Sequence, residues 1–375
     1  MWIALLGRRD TPTDGVEDYC TFLGQALARP GVDLKMVHVQ WNEKGWVAAL
    51  RQLWRESADW RGKWVLLQYT GLGWSRRGFP LPALIVLRVL RRRAARCVVV
   101  FHDASVSASP RLLDRVRNAV QSWTMRKLIE QSEQGVLTVP RETLNWLPLG
   151  FIRAASIPIG ANIPEYRGNR VFSAERTPKT VAVFSVTCGD TRSQEVHDIV
   201  LAAKRVKQHA GPVRLEVFGR GCEEAREVLE QSLNGSGIEL HVRGVIPAEE
   251  ITRTLSEADA MLCARGLTTA RRGTAIAGIA CGLPVVGYGQ SGSDPAIDAA
   301  GVRLAPWHNS ELLAHELAEV LSDEKLWQEL HERNLRAQTH YFSWNAIADR
   351  YVKLLAASEE PAMRNGTRFC RAPDS

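Results

Sequence analysis

Residues 258–292 constrain the fold more than any other part of the chain, because they read as strand, loop, helix and strand in close succession. Ala258 to Cys263 is a short apolar run of the kind that forms a strand buried on both faces. Thr274 to Cys281 is made of small and apolar residues, so a helix there can lie close against a sheet, and Gly282 ends it. Val285 to Tyr288 supplies the second strand. This pattern is a βαβ unit and predicts a parallel sheet covered by helices.

Three arginines, Arg265, Arg271 and Arg272, stand in the segment from Arg265 to Gly273, which we predict to be the loop that opens this helix. Backbone N–H groups and the helix dipole at a helix N-terminus favour an anion, and arginine adds bidentate donors. We therefore expect at least one of these arginines to bind a phosphate-bearing ligand. The alternative is a solvated basic loop.

The end of this segment, AGIACGLPVV at Ala277 to Val286, resembles the donor-binding segment of retaining, nucleotide-sugar-dependent glycosyltransferases of the GT-B fold. That family builds polysaccharides and glycolipids. Its members usually carry two glutamates eight residues apart in this segment. The matching positions here are Thr269 and Ala277, and neither is acidic.

The resemblance implies an α/β protein of GT-B type, with two Rossmann-like doubly wound domains that face each other across a cleft. It also implies that loops of the second domain hold the diphosphate of a nucleotide-sugar donor. Arg192 and Arg220 follow strands there, although each of them alone is more typical of a surface arginine. Besides the three arginines, the candidate donor-binding residues are Gly15, Arg192, Gly219, Arg220, Gly221, Thr269, Gly273 and Thr274.

The alternation of strands and helices extends over both halves of the chain and predicts the domain boundaries. We expect an acceptor-binding domain at 1–165 and a nucleotide-sugar-binding domain at 166–341. The polar segment from Tyr166 to Pro178 separates them. By resemblance, a helix at 342–357 returns to the first domain, and the polar tail at 358–375 is expected to be disordered.

Candidate catalytic residues follow two strands of the first domain, where ligands of doubly wound sheets bind. His102 and Asp103 come directly after the apolar run Cys97 to Phe101, and Asp14 precedes Gly15 in the loop after the first strand. In the resembled family a histidine in this region contacts the transferred sugar. Asp103 would orient His102, or act as a base if the enzyme inverts. The alternatives are a structural histidine and an Asx-turn or N-cap role for Asp14.

Composition indicates a globular protein of a reducing compartment. The seven cysteines form no CxxC pair, the N-terminus lacks the pattern of a signal peptide, and no apolar run reaches the ~18 residues of a spanning helix. We therefore predict a cytoplasmic location. HExxH and Asp-x-Asp motifs are also missing, so we expect no metal cofactor.

Positive charge is concentrated in the first half of the chain. Residues 1–165 carry 23 basic and 14 acidic residues, a net charge of +9, whereas the remainder has a net charge of −2. Phe79 to Arg93 reads FPLPALIVLRVLRRR, and six tryptophans lie between Trp41 and Trp74. These features predict peripheral contact with an anionic membrane on its inner face, and a glycan or lipid-linked acceptor. The alternative for this helix is a buried core helix with a solvated end.

Three classes of function remain open. The leading one is a glycosyltransferase that retains anomeric configuration and uses arginines to stabilise the leaving diphosphate. The second is a catalytically inactive nucleotide-sugar-binding or scaffold protein on the same fold. Nucleic-acid binding ranks lowest, because the basic residues are scattered over predicted helices and form no recognition motif. We expect no nucleic-acid partner.

Overall fold

The structure is a computed structural model that describes residues 1–10, 14–105, 111–148, 150–151, 153–166, 168, 172, 176–187 and 192–358. It contains two separate six-stranded parallel sheets, which confirms the prediction of two Rossmann-like doubly wound domains. The strands of the first sheet are β1 (Trp2–Leu6), β2 (Leu34–His38), β3 (Trp64–Tyr69), β4 (Arg96–Phe101), β5 (Gln134–Leu137) and β6 (Ala154–Ser156). Those of the second are β7 (Lys179–Phe184), β8 (Val213–Phe218), β9 (Glu239–Val242), β10 (Ala260–Leu267), β11 (Val285–Tyr288) and β12 (Val302–Ala305).

The helices cover both faces of each sheet. Those that follow the strands of the first sheet are α1 (Gly15–Leu27), α2 (Trp41–Lys44), α3 (Trp46–Glu56), α4 (Pro82–Arg92) and α5 (Leu112–Gln131). Those of the second half are α6 (Arg192–Ala210), α7 (Cys222–Leu233), α8 (Ala248–Glu257), α9 (Gly273–Ala280), α10 (Pro295–Ala299), α11 (Ser310–Ser322), α12 (Glu324–Ala337) and α13 (Trp344–Ala357). Within the described residues, no helix combines the length and apolarity of a membrane-spanning segment.

The apolar strand sequences explain why the sheets are buried on both faces. In β1, Ile3 and Leu5 join the hydrophobic cluster on one side of the first sheet, and Ala4 and Leu6 join the cluster on the other. This alternation follows from the two-residue period of a strand. All six residues of β3 are buried, as is typical of a central parallel strand.

The strand orders place a topological switch point in each sheet. The first sheet runs β2-β1-β3-β4-β5-β6, so the direction of winding reverses between β1 and β3. The second runs β12-β11-β10-β7-β8-β9, with the reversal between β7 and β10. Ligands of doubly wound sheets bind at the carboxyl ends of the strands beside such a point.

Helix α13 lies on the first domain, although it follows the second in sequence. The Tyr351 hydroxyl lies 2.8 Å from that of Tyr19 on α1, and Asp349 pairs with Arg29. The helix begins at Trp344, two residues after the predicted Phe342, because the Ser343 side chain caps it by accepting a hydrogen bond from the Ala346 N–H. Residues 359–375, where the sequence predicts a disordered tail, lie outside the described residues.

The second domain differs from prediction at Arg265. The strand predicted to end at Cys263 continues to Leu267, and its register against β11 shifts between these two residues. Gly266 has a φ of 61°, in the region that favours glycine, and this lets the chain bulge. Arg265 therefore lies in the strand β10, two residues before its end, whereas the sequence predicted a loop.

Candidate active site in the interdomain cleft

A cavity of ≈ 430 Å³ opens between the two domains. Its first-domain walls are the loops that follow β1, β3 and β4, so it lies at the switch point of the first sheet. Its second-domain wall is formed by Arg271 and Gly273, at the N-terminus of α9. The candidate residues that line it are Asp14, Gly15, His102, Asp103, Arg271 and Gly273.

His102 is half-buried in the wall of this cavity, and the protonation of its ring follows from its neighbours. Its Nε2 lies 2.8 Å from Oε1 of Gln68, whose amide nitrogen donates to the Leu66 carbonyl. Since Oε1 can only accept, Nε2 carries the proton and Nδ1 is the ring's acceptor. Burial lowers the pKa of His102 to about 4, against a smaller opposing effect of Asp14. The imidazole is therefore neutral near pH 7.

Because His102 is buried in its neutral form, the free energy of unfolding should depend on pH. The pKa of His102 is depressed in the folded protein, so the unfolded chain binds more protons between pH ~4 and ~6.5, and stability falls as pH decreases through that window. A His102→Gln variant keeps a donor for Gln68 but does not titrate. We expect wild type to lose up to about 3 kcal/mol more than the variant between pH 7 and pH 4. Urea unfolding at several pH values measures this difference, and parallel curves would contradict it.

Asp103 faces the second domain across the cleft. Desolvation in the cleft raises the pKa of its carboxyl, while the positive charge of Arg271 and a hydrogen bond from the Gly71 N–H act in the opposite direction. Asp103 on the first-domain wall and Arg271 on the second-domain wall therefore carry opposite charges. A ligand that enters between them meets one carboxylate and one guanidinium.

Asp14 has the N-cap role that the sequence left open. Its Oδ1 accepts from the Val16 and Glu17 N–H groups at 2.9 and 3.2 Å, and its Oδ2 accepts from the Asp10 N–H at 2.9 Å. Both oxygens are engaged in holding the loop after β1. Gly15 begins α1, and its carbonyl accepts from Asn162 at 3.1 Å.

The loop before α9 is held by a hydrogen bond to Asp294, a residue that the sequence analysis did not identify as a candidate. Asp294 is 5 % exposed, and its Oδ2 accepts from the Ala270 N–H at 2.7 Å. Thr269 closes the turn by accepting from the Arg272 N–H. Gly273 and Thr274 then form the first turn of α9, which has no capping side chain and no acidic residue. An exposed helix N-terminus of this kind favours an anion.

The three arginines of this segment diverge. Arg271 is exposed and lines the cleft. Arg272 turns back to donate from Nε and Nη2 to the Leu267 carbonyl, and burial lowers its pKa. Arg265 lies on β10, half-buried. Of the three, Arg271 is the one whose guanidinium can meet a ligand in the cavity.

The loop after β8 also reaches the cleft. Gly219 and Gly221 have φ values of 99° and 78°, and a Cβ on Gly219 would lie 2.8 Å from the Ser185 hydroxyl. These positions accept glycine alone without strain. Arg220 pairs with Asp10 of the first domain, with Nη1 and Oδ2 3.5 Å apart. Arg192 begins α6, and its side chain lies outside the described residues.

Thus six of the candidates line one cavity, and no other candidate with a described side chain lines it. Sequence reasoning missed Gln68, Asn162 and Asp294, which act through hydrogen bonds to residues distant in the chain. In the described ranges, no group of three or more His, Cys, Asp and Glu side chains is placed to hold a metal ion. The five described cysteines are buried and form no disulfide bond with one another.

Comparisons with known proteins agree with this architecture. Residues 181–323 match the family model of the glycosyl transferases group 1, a match that lies in the second domain. No curated protein matches the sequence. Among solved structures, sucrose-phosphate synthase from Thermosynechococcus elongatus is 17 % identical, with a TM-score of 0.63 over 95 % of this chain and 99 % of that one.

Two further structures share the fold at lower identity. WaaG, a glycosyltransferase involved in lipopolysaccharide biosynthesis, is 12 % identical with a TM-score of 0.61, over 94 % of this chain and 99 % of that one. HepE from Anabaena, solved with UDP and glucose, is 12 % identical with a TM-score of 0.60, over 95 % and 100 %. The second domain of this chain therefore matches the glycosyl transferases group 1, and the chain as a whole has the GT-B fold of these solved structures.

Proposed function

We propose that the protein transfers a sugar from a nucleotide-sugar donor, held at the N-terminus of α9, to an acceptor bound on the first domain. One observation carries this proposal: Arg271 and Gly273 line the same cavity as His102 and Asp103. The donor's diphosphate then lies against the second domain, and its sugar lies against the first. The structure of HepE with UDP and glucose supports a donor of this class.

The proposed role of Arg271 follows from the charge that develops during transfer. As the bond from the anomeric carbon to the diphosphate oxygen breaks, negative charge grows on the leaving group. A guanidinium and the N–H groups of a helix N-terminus are fixed donors that stabilise this charge. Because they supply the positive charge, we propose that transfer needs no metal cofactor.

His102 is proposed to position the transferred sugar. Its Nε2–H is committed to Gln68, so a sugar hydroxyl can donate to Nδ1. A neutral ring accepts such a bond, and an imidazolium does not.

We propose that the anomeric configuration is retained. The two family positions that usually carry glutamates hold Thr269 and the buried Ala277. Asp103 is a cavity carboxylate that interacts with Arg271 of the second domain. We assign Asp103 to binding the acceptor hydroxyl. NMR of the product's anomeric signals tests retention, and inversion would reassign Asp103 as a general base.

A panel of nucleoside diphosphates and their sugars tests the proposed function. A ligand that binds only the folded state raises the melting temperature. At 100 times its Kd, it adds about 2.7 kcal/mol to the free energy of unfolding. We expect one nucleotide to stand out and its sugar to be consumed when an acceptor is present. Binding without turnover would favour the inactive scaffold, and no nucleotide binding would overturn the proposal.

The structure changes which side chains can meet a membrane. Four of the six tryptophans are at most 5 % exposed, so the predicted role of this tryptophan cluster at a membrane is wrong. Trp54 is 42 % exposed, but Arg93 lies over its ring at 3.7 Å. Most apolar residues of α4 are buried, as the core-helix alternative predicted.

A different surface of the first domain is exposed and apolar. On α5, Leu112, Val116 and Trp123 point away from the buried face formed by Met125 and Leu128, and are 74, 49 and 50 % exposed. We define the α4–α5 patch as the exposed apolar side chains of these two helices and the residue before α4: Leu81, Ile85, Leu112, Leu113, Val116 and Trp123. We propose that this patch, with the arginines beside it, binds the inner face of an anionic membrane reversibly and that the acceptor is lipid-linked.

A further inference from the structure

A second cavity of ≈ 320 Å³ lies on the first domain, beside the cleft. Its walls come from the loops after β3 and β4 and from one face of α5. It shares Leu72, Asp103 and Arg271 with the first cavity, so the two spaces meet where the two domains face each other.

Two residues that line this second cavity each carry a buried polar atom with no hydrogen-bond partner among the described residues. Tyr69 is 1 % exposed, and its hydroxyl makes no hydrogen bond with any described residue. The Nε of Arg117 is also buried and unpaired, although its Nη1 pairs with Asp114 at 2.9 Å. A buried polar group without a partner costs roughly 1–3 kcal/mol, so such groups indicate a ligand that completes them.

The walls favour a neutral, hydroxylated ligand over an anion. The charge of Arg117 is already balanced by Asp114, and that of Arg271 faces Asp103. An added anion would therefore meet two carboxylates. A sugar hydroxyl both donates and accepts, which suits a wall that offers the Tyr69 O–H, the Arg117 Nε–H and the Asp103 carboxylate.

We propose that this second cavity is the acceptor subsite and that it takes the neutral terminal sugar of the acceptor. Leu72 supplies an apolar surface for the C–H face of the ring. The reacting hydroxyl lies towards Asp103, from which it reaches the anomeric carbon of the donor in the first cavity. The inference rests on the proposed function for its reaction, while the binding of the sugar can be measured without a donor.

Tyr69→Phe tests the subsite directly, because it removes one hydroxyl and keeps the buried ring. Arg117→Lys keeps the charge opposite Asp114 and removes the Nε–H. Tyr351→Phe is the matched control, since it also removes a buried hydroxyl, but one that pairs with Tyr19 between α1 and α13 and does not line the second cavity. The probes are methyl and octyl glycosides of glucose, galactose, mannose and N-acetylglucosamine, with glucose 6-phosphate and glycerol 3-phosphate as anionic counterparts.

Ligand-observed NMR with and without UDP gives the affinities. We expect at least one neutral glycoside to bind wild type and the control alike, and to bind Tyr69→Phe and Arg117→Lys at least tenfold more weakly, with UDP affinity unchanged within about twofold. Equal binding by all variants, binding of the anionic probes alone, or no binding of any glycoside would overturn the subsite. Failure of wild type to bind any nucleoside diphosphate of the panel would instead count against the proposed donor site, because the glycoside measurement does not depend on it.

Discussion

Replacing Arg271 by alanine should lower kcat/KM for the nucleotide sugar by roughly ten- to a hundredfold while the protein stays folded. The guanidinium lines the cleft and is exposed, so its loss leaves no cavity in the core. Each charge-assisted hydrogen bond to the diphosphate contributes about 1.5–3 kcal/mol, and the loss grows in the transition state, where the leaving group gains charge. Calorimetry with the nucleotide identified by the thermal panel, together with initial rates, measures the change.

The neighbouring arginine should behave differently. Arg272 donates to the Leu267 carbonyl, so Arg272→Ala should loosen the turn before α9 and lower the melting temperature, with a smaller direct effect on the nucleotide. The double variant should abolish measurable binding of the donor. Arg88→Ala, an exposed arginine of α4, is the control and should leave both quantities unchanged. If Arg271→Ala and this control bind the nucleotide equally well, the arginine belongs to a solvated surface.

Introducing glutamate at Leu112, Val116 and Trp123 together should abolish binding to anionic vesicles. These side chains form the outward face of α5, and a fully buried side chain of this size contributes about 1.5–3 kcal/mol. Basic residues near the surface add about 1 kcal/mol each. We therefore expect wild type to sediment with phosphatidylglycerol vesicles, to bind phosphatidylcholine vesicles weakly, and to be partly released at high salt, because screening shortens the electrostatic attraction.

A variant with glutamate at Val228 and Val245 is the matched control. Both valines are exposed, at 44 and 55 %, but they lie in the second domain. This control should bind vesicles as wild type does. If the triple variant also binds as wild type, or if wild type stays in the supernatant with anionic vesicles, the α4–α5 patch does not bind membranes and the acceptor is a soluble glycan.

The local features of the fold were predictable from sequence because they depend on neighbouring residues. The predicted strand Val285 to Tyr288 has the bounds of β11, and the small residues of α9 between two strands identified the βαβ unit. A strand's end could likewise be read from the polar residues that follow it. This is why His102 and Asp103 were placed correctly at the carboxyl end of β4, beside the cavity.

The direction of each side chain was decided by the tertiary structure. Arg271 and Arg272 are adjacent in sequence, yet one faces the cleft and the other folds onto β10, because the bulge at Gly266 leaves room for a guanidinium there. The partners of His102, Ala270 and Gly15 lie far away in the chain, at Gln68, Asp294 and Asn162. Local pattern carries no information about such contacts.

Burial was the other quantity that only the tertiary structure decided. A helix that is apolar on two faces, such as α5, does not reveal which face meets the core until the sheet beneath it is in place. Met125 and Leu128 pack inward there, and Val116 and Trp123 are left outside. Trp64 and Trp74 are a second example. The sequence predicted that they contact a membrane, but in the structure both are buried in the core of the first domain. Hydrophobicity determines that a side chain avoids water, whereas the arrangement of the other elements determines where it does so.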